Sequence, residues 1–125
     1  MNPKPTESEL EILNILWSRG ASTVREVHDE LEKVKEAGYT TTLKLMQIMH
    51  EKGLLKRDER SKSHIYTANI SQETTQGQLV KRMIDNVFNG SAARLVMQAL
   101  GNHKPSKQEL SEIKKYLEEI EKKNK

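Results

Sequence analysis

Thr40, Thr41, Lys44 and Gln47 fall close together on one side of any helix with 3.6 residues per turn. Each offers hydrogen bonds and none carries a negative charge, the chemistry of a surface that meets an anionic partner rich in donors and acceptors. Thr42, Met46 and Met49 share the opposite face, with Leu45 on its flank, and are expected to pack inward. The first turn of such a helix also suits a phosphate, because its unpaired N–H groups point outward. Arg57, Arg60 and Lys62 follow within a few residues and add positive charge to the same region.

Reaction chemistry finds no comparable set of residues. The four histidines are far apart in the chain and make no chelating pair. His28 and His50 are expected on helix surfaces and His64 beside a phosphate. Cysteine is absent, which removes disulfides, thiolate metal sites and a Cys nucleophile. The carboxylates are spread over helix faces at spacings that i,i+4 pairing explains. No glycine-rich phosphate loop, nucleophile elbow or zinc-peptidase helix occurs. A protein that is not an enzyme, with no metal and no cofactor, is the expectation.

The elements that must hold the polar face can be read on either side of it. Thr6 and Glu9 form a capping box ahead of Leu10, Leu13, Leu16 and Trp17, and Gly20 ends that helix. Thr23 and Glu26 repeat the box before the apolar stripe Val24, Val27, Leu31 and Val34, which breaks at Ala37-Gly38. The third helix opens at Thr40 or Thr41 and runs to Lys52, closed by Gly53. Leu54–Asp58 and Ile65–Asn69 read as strands joined by the polar tip Glu59–His64, a hairpin with a basic end. Three short helices and then a basic-tipped hairpin is the order of a winged helix-turn-helix, whose third helix enters the major groove while the hairpin follows the phosphates.

From Ser71 onward the patterns lengthen. Leu79, Val80, Met83, Ile84, Val87 and Phe88 make a broad apolar face, closed by Asn89-Gly90. Ser91 caps a helix carrying Leu95, Val96, Ala99 and Leu100. Ser106 and Glu109 form a third capping box, and Leu110, Ile113, Leu117 and Ile120 then repeat at 3-4-3 spacing, the seam of a helix that packs on another helix. A private core would cover some of this surface; a core shared between two copies covers it and also supplies paired half-sites. The expected fold is mainly α, a winged-helix domain in residues 1–70 and a three-helix dimerisation domain in residues 71–125. Leu79, Met83, Val87, Phe88, Leu95, Leu110, Ile113 and Leu117 are the expected homodimer contacts.

Charge follows the same division. Residues 1–38 hold five basic and eight acidic side chains, residues 39–70 six and three, and residues 71–125 ten and seven. The excess in the middle fits double-stranded DNA as the partner. No run approaches the roughly 20 apolar residues of a membrane span, and MNPKPTESELE lacks a signal-peptide core. A cytoplasmic protein with no direct membrane insertion is expected. Two rivals use the same elements: a winged helix that docks on protein, against which the basic tip argues, and a DNA-binding regulator with an effector pocket, for which no residue cluster stands out.

Thr6–Trp17 (TESELEILNILW), Gly38–Leu54 (GYTTTLKLMQIMHEKGL) and Arg57–Tyr66 (RDERSKSHIY) together resemble the penicillinase and methicillin-resistance repressors, the BlaI/MecI family. The resemblance covers nearly the whole chain. It implies a transcriptional repressor that binds a palindromic operator as an interlocked homodimer, with recognition contacts at Thr40, Thr41 and Lys44. This sequence carries Leu43 and Ile48 in a stretch where some relatives carry Arg. In β-lactam-responsive relatives a membrane-bound sensor peptidase system triggers cleavage at an Asn-Phe bond; Gln98-Ala99 stands at that place here and is the candidate cleavage region. Copper-responsive relatives use a C-terminal cysteine cluster, which this chain lacks.

Overall fold

The computed structural model describes residues 4–124. Met1–Pro3, part of the segment read above as lacking a signal core, lie outside the described residues. The elements run α1 (Glu7–Arg19), α2 (Val24–Glu32), α3 (Tyr39–Glu51), β1 (Leu55–Asp58), β2 (Ile65–Ala68), α4 (Gln72–Asn86), α5 (Ala92–Asn102) and α6 (Lys107–Lys123). Local chemistry sets several of their ends. Thr6, Thr23 and Ser106 each accept the amide of the residue three on, and Glu9, Glu26 and Glu109 reach back to the cap N–H. Each such cap contributes about 1 kcal/mol. α1 and α3 are each followed by a glycine at positive φ, Gly20 at +90° and Gly53 at +85°, a region that side chains with a Cβ avoid.

The chain divides into two compact units, Met1–Gly77 and Gln78–Lys125, and the division falls inside α4. The first unit holds the core: Ile12, Leu13 and Leu16 of α1, Val24, Val27 and Leu31 of α2, Met46 and Met49 of α3, and Leu54, Leu55 and Tyr66 at the hairpin. β1 and β2 pair antiparallel with Leu55 opposite Ala68 and Arg57 opposite Tyr66. Ser22 adds an isolated bridge to that sheet, exchanging backbone bonds of 3.0 and 2.8 Å with Tyr66. The loop between α1 and α2 is thereby fixed to the wing. Trp17 fastens α1 to the end of the hairpin, its indole N–H donating to the Ile70 carbonyl at 3.0 Å.

Several sequence expectations need correction. α2 stops at Glu32 because Lys33 and Val34 donate to carbonyls three residues back, a tightened last turn, and Val34 is 79% exposed. His28 is buried, not on a helix surface: Nδ1 lies 3.4 Å from the Thr42 hydroxyl and its ring meets Tyr39 edge-on. Ile12, absent from the expected α1 stripe, is fully buried. Val87 and Phe88 lie just past α4, in the turn that Asn89 and Gly90 close at positive φ.

The second unit is built differently. Its helices have the expected order and caps, yet no described side chain from residue 78 to 124 is buried within the single chain.

Candidate nucleic-acid interface

α3 is held from behind. Thr42, Met46 and Met49 are buried on its inner face, and Thr42 Oγ1 donates to the Gly38 carbonyl at 3.2 Å, fixing the first turn. Its C-terminal end is fixed by Lys52, whose Nζ donates to both carboxylate oxygens of Glu9 at 2.8 Å. Glu9 is almost wholly buried. Burial alone would raise its pKa, but the Lys52 ammonium and the Thr6 amide outweigh burial and lower it. The start of α3 has the opposite character, because Gly38 offers no side-chain cap and the first-turn amides stay available.

With α3 seated this way, Thr40, Thr41, Lys44 and Gln47 all point outward and are exposed. Leu43 is half-buried against the core on one flank and Leu45 on the other. Among the described residues Lys44 makes no ion pair. The residues singled out from sequence on α3 therefore share one open face.

The wing cations are not equivalent. Arg57 is only 22% exposed in its side chain and pairs with Glu59 at 2.5 Å. The Tyr66 oxygen and that carboxylate together raise its pKa further. Arg60 is exposed but forks onto Asp58, with Nη2 2.7 Å and Nε 3.0 Å from its carboxylate oxygens. Hydrogen bonds from the Arg60 side chain and backbone hold Asp58 down at about 2. Lys62 is exposed and has no ion-pair partner among the described residues. The wing tip thus carries one unpaired cation, Lys62, and one held by a neighbouring carboxylate.

Sequence reading missed a cation on α2. Arg25 lies with its guanidinium carbon 4.3 Å from the centre of the Tyr39 ring. Both residues line a groove of about 300 Å³ between α2, α3 and the wing, together with Thr23, Gln47, Lys62 and His64. No carboxylate lines it. The signal available in the sequence was weak: Arg25 sits among acidic neighbours, and its pairing with Tyr39 spans 14 positions.

Among the described residues His28, Asp29 and Glu32 could bring three ligand atoms together, but His28 Nε2 is already taken up with Glu32 at 2.5 Å, a structural contact that steadies α2 under Tyr39. No helix among the described residues is long and apolar enough to cross a membrane.

In the second unit, Leu79, Leu95, Ile113 and Phe88 are half-buried, while Met83, Val87, Leu110 and Leu117 are exposed, Val87 at 66%. Met97, Tyr116 and Ile120 are exposed as well. Gln98 and Ala99 are exposed in the interior of α5, where the Gln98 carbonyl accepts from Asn102 Nδ2 at 2.9 Å.

Comparison with known proteins gives a consistent answer. The family model described as penicillinase repressor matches residues 5–119. The chain is 24% identical to the penicillinase repressor of Staphylococcus aureus, over 93% of this chain and 92% of that one. It is 25% identical to the penicillinase repressor of Bacillus licheniformis, over 94% and 91%. With the methicillin resistance regulatory protein MecI of Staphylococcus aureus it shares 21% identity, over 90% and 91%. Among solved structures it is similar to the DNA-binding domain of the repressor BlaI, with a TM-score of 0.52, 25% identity and coverage of 58% of this chain and 88% of that one. It is likewise similar to the monomeric form of Bacillus licheniformis BlaI in complex with the blaP half-operator, with a TM-score of 0.51, 25% identity and coverage of 58% and 89%.

Proposed function

The chain belongs to the penicillinase repressor family, and on that premise we propose that it is a DNA-binding transcriptional repressor acting as a homodimer on an inverted-repeat operator. The observation that carries this is the outer face of α3, where Thr40, Thr41, Lys44 and Gln47 stand exposed on a helix locked to the core beside a basic wing. α3 lies in the major groove and its polar side chains meet base edges, while Lys44 and Lys62 attract phosphates. Arg57 supports the wing through Glu59 and Tyr66, and Arg60 reaches phosphate when it releases Asp58. The groove lined by Arg25, Tyr39 and His64 takes the sugar-phosphate strand that runs between the major groove and the wing.

Pairing follows from the second unit. Ordering a residue costs roughly 1–2 kcal/mol of backbone entropy, and a helical unit with no buried side chain among its described residues has little to offset that cost. A second copy supplies the missing cover through the Leu110, Ile113, Leu117 and Ile120 seam of α6 together with Leu79, Met83, Val87, Phe88 and Leu95. The dimer presents two α3 helices to two half-sites, and such a protein works in the cytoplasm without catalysing a reaction. Relief by cleavage at Gln98-Ala99, with a membrane-bound sensor peptidase as the trigger, requires α5 to open locally first, because a helix interior does not present the extended backbone that a peptidase binds.

Selection from a pool of random duplex DNA at fixed salt tests the proposal. Enrichment of an inverted repeat is the expected outcome. Recovery of no preferred sequence would leave the protein-docking winged helix as the better account.

A further inference from the structure

α3 carries an apolar residue on its outer side. Ile48 lies four residues after Lys44 and seven after Thr41, so all three fall along one stripe. It is 38% exposed and takes no part in the core cluster that includes Met46 and Met49. Beside it an open cup of about 360 Å³ is lined by Ser8, Thr40, Thr41, Lys44, Leu45 and Ile48. Leu45 and Ile48 form its apolar part; the remaining members bring three hydroxyls and an ammonium. Nothing in the packing of the first unit requires an isoleucine there, and a β-branched residue is a mediocre choice for an exposed helix position.

DNA supplies a matching group. In the major groove the base edges present nitrogen and oxygen donors and acceptors, and the apolar feature is the C5-methyl of thymine. Granted that α3 is the major-groove helix, we infer that Ile48, backed by Leu45, packs on the C5-methyl of a thymine and so selects T at one position of each half-site. The hydroxyls of Thr40 and Thr41 and the Lys44 ammonium flank that contact and are free to take the polar edges beside it. Ile48 is thus a specificity residue that adds no charge and leaves the salt dependence of binding unchanged.

The test uses the duplex recovered by random selection. Each dT of a half-site is replaced singly by deoxyuridine, which deletes the methyl and keeps the base pair. One position should weaken binding about fourfold, the worth of one buried methyl group. Ile48→Ala should shrink that penalty to less than about 1.5-fold, and Ile48→Val should keep most of it, since a branched apolar side chain remains. Unchanged thermal unfolding of both variants separates a lost contact from a lost fold. The inference is overturned if no dT is sensitive, or if Ile48→Ala retains the full penalty. A pool that yields no preferred sequence removes the major-groove premise itself; a clear operator without methyl sensitivity removes only the role of Ile48.

Discussion

At the scale of single residues, neighbours decide what each charge can do. Arg60 and Lys62 look alike in the sequence, yet Arg60 is forked onto Asp58 and Lys62 is unpaired. Asp58→Asn should free Arg60 and remove a negative charge from the wing, strengthening DNA binding roughly threefold to tenfold at low salt and less at high salt. Titrations at two salt concentrations would check this. Thr41→Ala and Lys44→Ala should each weaken operator binding by about 1–3 kcal/mol without altering the melting curve, since both side chains are exposed. Normal binding by both variants would displace α3 from the groove. Glu9 and Lys52 have a different part, holding the two ends of the α1–α3 contact. Because the folded-state pKa of Glu9 is lowered, its contribution to stability is present above the ordinary carboxylate range and is lost as pH falls through the lowered value. Lys52→Met should therefore destabilise the protein by about 1–3 kcal/mol at pH 7, with the gap from the unaltered chain closing toward pH 3. Denaturant midpoints at the two pH values would show it.

Secondary-structure elements explain why so much of the fold was legible in the sequence. The boxes at Thr6, Thr23 and Ser106 mark helix starts with local hydrogen bonds, and the inner stripe Thr42, Met46 and Met49 fixes which face of α3 turns outward. What could not be read depended on residues far apart in sequence. His28 is buried because Thr42 and Tyr39 pack over it, Arg57 is shielded by the cross-strand Tyr66, and Arg25 is placed by Tyr39. Val34 illustrates the reverse failure: its spacing suits a buried stripe, but the helix tightens and ends two residues earlier. In the second unit periodicity finds the apolar faces, yet within one chain Met83 and Leu117 remain about half exposed. Met83→Glu combined with Leu117→Glu should yield a monomer in sedimentation, with operator binding weakened by at least about 100-fold, since charges buried at an interface without partners cost several kcal/mol. A monomeric unaltered protein would refute the dimer itself.

At the scale of the whole molecule, the proposed repressor joins a reading unit with a core of its own to a unit whose exposed apolar faces a second copy would cover. Its electrostatics are modest, with six basic against three acidic side chains in residues 39–70 and ten against seven in residues 71–125. If the dimer neutralises about 6–10 phosphates, affinity should fall by roughly 10³–10⁵ between 50 and 200 mM salt. That attraction alone does not make a repressor, because any basic protein shows it. The most direct measurement is the ratio of affinities for the selected inverted repeat and for a scrambled duplex of the same length, at one salt concentration. A ratio of about 10³ or more is expected, falling toward unity when Thr41 and Lys44 are both replaced by alanine while the fold stays intact. Equal affinity of the unaltered protein for the two duplexes would contradict it.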